Sequence, residues 1–196
     1  MAREKKHLPY RQEEGVKLIE IRLHKVQQLF SSLDPAPFRE RDLDPAAEAY
    51  LIFGVKDFPL SRKMKIVIHL PEPELATPDI ANVPQAVRNY FAYRMTATQA
   101  DLKALLNNGW ITLLIALAFM GSCLILLQMA QTTMTGTAGD MVKEGLQIIA
   151  WVSMWRPIQT FLYDWWPLLG KIRVYAKLRD MEVELRPLPL LSPLPQ

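Results

Sequence analysis

The sequence predicts a membrane α+β protein: a two-helix antiparallel transmembrane hairpin carrying a small cytoplasmic α+β module built from the N-terminal and C-terminal segments that flank it. Three observations lead there. The run Gly109–Ala130, GWITLLIALAFMGSCLILLQMA, has 22 residues and no ionisable group except the Cys123 thiol. As a helix it is about 33 Å long, which matches the roughly 30 Å hydrocarbon core of a bilayer. A second apolar stretch, 145–166, ends in Tyr163, Trp165 and Trp166, the amphipathic rings expected at a headgroup boundary. No Lys or Arg lies between Lys103 and Lys143, whereas Arg88, Arg94 and Lys103 precede the first span and Lys171, Arg173, Lys177 and Arg179 follow the second. By the positive-inside rule both termini face the cytoplasm and the spans form a hairpin.

Composition alone decides less. With 196 residues, 50% hydrophobic content and a mean hydropathy of +0.03, the chain would pass for one ordinary soluble domain. The formal charge of +3 averages a neutral middle and charged flanks, where 20 acidic residues offset the 23 basic ones. This balance argues against nucleic acid as a partner, because a surface built to neutralise phosphates would not disperse so many carboxylates among its cations. The single cysteine permits no intramolecular disulfide, and zinc-type spacings are absent. The basic N-terminus lacks an apolar core of the length a secretory signal needs.

Taken in order, residues 1–15 read as a disordered N-terminus and 16–106 as the cytoplasmic α+β region. Leu18, Ile19, Ile21, Leu23 and Val26 interleave with charges, mostly at period 2, which predicts a strand with a bulge near Lys25–Gln28. The segment SSLDPAPFRERDLDPAA stops regular structure at its Asp-Pro and Ala-Pro steps. Asp44 followed by Pro45 is a helix start, and Ala47, Tyr50, Leu51, Gly54, Val55 and Phe58 would share one face. Met64, Ile66, Ile68 and Leu70 alternate as a second strand, followed by a proline-rich connection over 71–84. A helix from about Pro84 presents Val87, Tyr90, Phe91, Met95, Thr98, Leu102 and Leu105 on one side and leads into span 1, 109–130. Asn107, Asn108 and Gly109, poor helix formers, would kink or interrupt it there.

Residues 131–144 read as an external loop, 145–166 as span 2, 167–186 as a cytoplasmic helix and strand, and 187–196 as a Pro-rich tail. Leu168–Leu178 fits a strand by alternation, yet no turn signal follows Pro167, which favours a short helix. Met181, Val183 and Leu185 share one side of a third strand, which either joins the N-terminal sheet or belongs to a frayed tail.

No catalytic, cofactor-binding or metal-binding constellation emerges: there is no nucleophile elbow, phosphate-binding glycine loop or metalloprotease helix. His24 and His69 lie on predicted strands without a third ligand. Cys123, and likewise Gly121, read as small packing residues. In the membrane, Arg156, Pro157, Gln159 and Asp164 are the candidate functional or inter-subunit residues. A basic side chain at mid-span costs about 2.5 to 3.5 kcal/mol on insertion scales, so Arg156 either meets another subunit, lines a wet cavity, or marks the interface of a span that ends early. Asp164, two turns away, is too far to pair with it directly. Pro157 cannot donate to the Ser153 carbonyl and should kink the helix. Matching the spans so that residue numbers sum to about 275 pairs Ser122 with Ser153 and Gln128 with Gln147 across the hairpin, and places Arg156 opposite Phe119 and Met120. Arg39, Glu40, Arg41 and Asp42 form a charged cluster that is either a docking loop or a solvated turn.

The stretch SSLDPAPFRERDLD, with the later two-span hairpin and its WWPLL exit, resembles a group of bacterial inner-membrane proteins to which no activity is attached. The resemblance implies a bacterial inner-membrane address. The function expected is therefore a non-enzymatic integral membrane scaffold or accessory subunit, embedded in the lipid bilayer and associating with itself or with another membrane or cytoplasmic protein. The alternative is a homo-oligomeric channel or transporter subunit with Arg156 near the pathway.

Overall fold

The computed structural model describes residues 10–31 and 41–188. The chain divides into two compact units, Met1–Thr96 with Lys171–Gln196, and Ala97–Gly170.

The first unit is built on a four-stranded sheet of order β1-β2-β3-β4. Strands β1 (Gln12–Glu13) and β2 (Val16–Arg22) are an antiparallel hairpin. Its two-residue turn is Glu14-Gly15, with φ of 48° and 82°; such turns need positive φ, which glycine adopts without cost. This corrects the expectation of disorder for residues 10–15; residues 1–9 lie outside the described residues. Strands β2, β3 (Met64–Leu70) and β4 (Glu182–Pro187) are parallel, with Ile19 opposite Ile66 and Ile66 opposite Val183. The C-terminal strand therefore does join the N-terminal sheet.

Parallel neighbours require crossover connections. The first crossover contains a 3-10 turn at Val26–Leu29, where a bulge was expected, and helix α1 (Pro45–Lys56). Gln28 causes the difference: its side-chain Oε1 accepts from the backbone N–H of His24 and Lys25, which caps the turn. Helix α1 starts as predicted, the Asp44 carboxylate accepting from Ala46 N at 2.8 Å with Pro45 at the first position. The second crossover begins with the short helix α2 (Glu72–Leu75), a 3-10 turn at Pro78–Asn82 and helix α3 (Val83–Thr133), and returns through α6 (Trp166–Asp180).

One face of the sheet carries the core. Ile19, Met64, Ile66, Ile68 and Leu70 pack with Leu51 and Val55 of α1, with Val83, Ala86, Val87 and Phe91 of α3, and with Val174, Tyr175 and Leu178 of α6. Gly54 lets α1 approach β2: a Cβ there would stand 3.1 Å from two carbons of Ile19. Phe91 stacks on Tyr175 with ring centroids 6.1 Å apart.

The second unit contains the remainder of α3, then α4 (Thr137–Ser153), α5 (Trp155–Gln159), a π-helical turn at Thr160–Asp164 and the first residues of α6. Helix α3 has 51 residues and qualifies by length and composition as a membrane span, with side chains such as Leu114, Ile115 and Ile125 about two-thirds exposed. It passes through Asn107–Gly109 without a break, correcting the expected interruption; in the middle of so long a helix the roughly 1 kcal/mol local preference of each poor former is outweighed by its neighbours. The expected external loop 131–144 shrinks to Met134–Gly136, since α3 runs to Thr133 and α4 begins at Thr137. Residues 145–166 are not one helix. Helix α4 ends at Ser153, whose carbonyl Pro157 cannot serve, and Met154 forms a turn.

Candidate functional site

The face of the sheet turned away from the helices is lined with charge. Strand alternation sends Glu20, Lys65, His69, Glu182, Glu184 and Arg186 to this side. Lys65 Nζ lies 2.9 Å from Glu184 Oε2 and 3.1 Å from Glu182 Oε1. The Arg186 guanidinium donates bidentately to Glu13 of β1, at 3.0 and 2.8 Å, and through Nε to Glu184 at 2.7 Å. The two edge strands are thus tied together over a sheet whose Leu18 and Val67, on the same face, are 2% and 0% exposed. His69, also buried, directs one ring nitrogen to Glu20 Oε1 at 3.2 Å and the other to the Pro187 carbonyl at 3.3 Å. Both partners are acceptors, so His69 links β2, β3 and β4.

Hydrogen bonding to Arg186, then to Lys65, holds the Glu184 carboxyl down at about 2. Glu13 is lowered and Arg186 raised by the same contact. A depression of about 550 Å³ opens here, lined by Glu13, Glu14, Val16, Leu18, Lys65, Glu184 and Arg186. Its cations are engaged by carboxylates and no nucleophile stands beside a free base. An ionic group entering the depression would have to exchange with these ion pairs. The sequence signal for this face is the polar half of the alternation, Lys65 and His69 in MKIVIHL and Glu182, Glu184 and Arg186 in MEVELR.

A second polar group joins the helices of this unit. Arg94 of α3 meets Glu48 of α1 at 2.9 Å and Tyr175 of α6 at 3.3 Å. Of the expected docking cluster, Arg39 and Glu40 lie outside the described residues. The Asp42 carbonyl accepts from Ser31 N, closing the loop ends together. Arg41 is half-buried and its Nε has no hydrogen-bond partner among the described residues.

In the second unit the expected polar pairs do not form. Ser122 donates to the Ala118 carbonyl and Ser153 to that of Ala150, each in its own helix. Gln128 and Gln147 are exposed. Instead, Trp110 meets Phe161 edge to face at 5.2 Å, and a Cβ on Gly109 would stand 3.1 Å from Thr160 and 3.2 Å from Phe161. Facing residue numbers therefore sum to about 270, not 275, and the slip of about five residues moves Arg156 from a position opposite Phe119 and Met120 to one near Leu114. Small residues set this register: Gly109, Ala116, Cys123 and Ala130, all buried, recur every seven positions, a seam that permits close helix contact.

Arg156 is exposed and makes no ion pair among the described residues. Pro157 and Thr160 are buried, and Gln159 is half-buried. The Thr160 hydroxyl lies 3.2 Å from the Arg156 carbonyl and 3.3 Å from Asp164 Oδ2, bridging the π turn. Among the described residues no three His, Cys, Asp or Glu side chains come together as a metal site would require. No known protein family, curated protein or solved structure matches the chain.

Proposed function

We propose that the chain is a non-enzymatic integral protein of the bacterial inner membrane, crossing it twice with both termini cytoplasmic, and that it presents its α+β unit as an interaction module. It then works as a scaffold or accessory subunit, associating with itself or with another membrane or cytoplasmic protein. One observation carries this reading: β3 and β4 are hydrogen-bonded neighbours, yet the apolar helix lies between them in the sequence. Two strands of one sheet occupy the same side of a bilayer, so the chain between them crosses an even number of times. If α3 crosses once, residues 134–165 must cross back. The broken geometry of α4, α5 and the π turn is compatible with that return, because unserved carbonyls at Pro and π irregularities are tolerated where neighbouring helices cover them.

The charged sheet face supports a binding role, since it offers fixed ion pairs and no free nucleophile-base couple. The channel alternative drew on Arg156 at mid-span; the register near Leu114 removes most of that support. Reporter fusions after Gln196 and within Thr132–Gly139 test the topology, with cytoplasmic and external signals expected respectively. The reverse result would refute the hairpin, and purification in mild detergent as a monomer with no copurifying protein would refute the scaffold role.

A further inference from the structure

We propose that Arg156, with Gln159 and the exposed indole of Trp155, binds the phosphate of an anionic phospholipid in the cytoplasmic leaflet, and that the groove beside α4 takes one of its acyl chains. This rests on the two-span reading above. Thr160 is level with Gly109, where the apolar run of α3 begins. Arg156, four residues earlier in the return segment, lies about 6 Å further into the apolar zone. There a guanidinium cannot be left bare, and an adjacent lipid phosphate drawn inwards is the ready counter-ion.

The surroundings fit an amphiphile. Trp155 is 72% exposed, and Tyr163 and Trp166 are about two-thirds exposed at the headgroup level. The carboxamide of Gln159, one turn from Arg156, has no partner among the described residues. Asp164 lies two turns along the chain and accepts from the Thr160 hydroxyl, and Glu144 lines the far end of the groove, so no acidic residue stands within one turn of Arg156 on its own segment to attract the cationic amine of a zwitterionic headgroup. One turn deeper, Val152 opens a groove of about 380 Å³ that it lines with Ile148, Trp151, Gln147 and Glu144. A cation on α5 followed, across the turn at Met154, by a mainly apolar groove on α4 matches a phosphate followed by a hydrocarbon chain. A planar guanidinium also engages phosphate bidentately, which an ammonium does not.

The test uses the full chain in nanodiscs of phosphatidylcholine, with and without phosphatidylglycerol, and counts retained lipid by native mass spectrometry after mild extraction. Wild type should retain phosphatidylglycerol over phosphatidylcholine by about tenfold, the scale of one charge-assisted bidentate contact. Arg156→Gln should insert normally and lose that preference, whereas Val152→Trp, which fills the groove, should reduce retention of both lipids. Excess inorganic phosphate should not displace the lipid, because it offers no chain to the groove. Equal preference in wild type and Arg156→Gln, or displacement by inorganic phosphate, would overturn the proposal. Failure of the wild type to enter either nanodisc would instead remove the membrane reading beneath it, and the lipid site with it.

Discussion

Arg186 concentrates much of the unit's electrostatics in one side chain, since it joins Glu13 and Glu184 across the face of the sheet. Both carboxyls titrate below the ordinary glutamate value of 4.5, Glu184 at about 2. A carboxyl whose folded value is depressed contributes stability that is fully present above its unfolded value and is lost as the pH falls through the folded one. The contribution should therefore persist above about pH 4.5 and disappear between there and about pH 2. Circular-dichroism melts across this range should show the wild-type midpoint falling more steeply than that of Arg186→Gln, whose carboxyls return towards their ordinary values. Arg186 was visible in the sequence only as one charge in a predicted strand or frayed tail. Its importance depends on Glu13, in a segment that was expected to be disordered and whose only turn signal was Glu14-Gly15.

Elements with strong local signals were legible: α1 from Asp44-Pro45, β3 from its alternation, and β4 from Met181, Val183 and Leu185. What misled was the assumption that polar residues choose the register of a helix pair. Serine satisfied its hydroxyl on its own helix, as Ser122 and Ser153 do, and needed no partner across the seam. Shape decided instead, with Gly109 admitting Thr160 and Phe161. Gly109→Leu should therefore separate α3 from the π turn at that level, whereas Gly109→Ala, meeting side chains at 3.1 to 3.2 Å that need give only slightly, should be milder. Cross-linking of a cysteine pair placed at Ile111 and Gln159, which face each other in this register, after replacing Cys123 by Ala, should fall sharply in the Leu variant and persist in the Ala variant. The π turn itself had no sequence signal beyond Pro157, because such a bulge arises from how a broken helix is re-packed rather than from residue preference.

At the scale of the molecule, the α+β unit owns a complete core although its sequence is interrupted by the whole of residues 97–170. Phe91 and Tyr175 stack just inside the two points of interruption, so the helices bearing them are already neighbours. Joining Thr96 to Lys171 through a connection of about six polar residues, within the usual range for packed helices, should give a water-soluble domain with a single cooperative melt; an aggregated or non-cooperative product would show that the unit depends on the removed segment. That both flanks contribute strands was readable as an option from the sequence, but the choice between a joined strand and a frayed tail needed the β3 register, which only folding in three dimensions supplies. The order of synthesis gives this arrangement a further meaning. The strand that covers β3 is made only after the whole of residues 97–170. Until Glu182–Pro187 emerges, Ile66 and Ile68 belong to an open edge of the kind that chaperones and proteases recognise. Closure of the sheet therefore waits on its last strand, and the β3 edge stays open for as long as Glu182–Pro187 is unpaired.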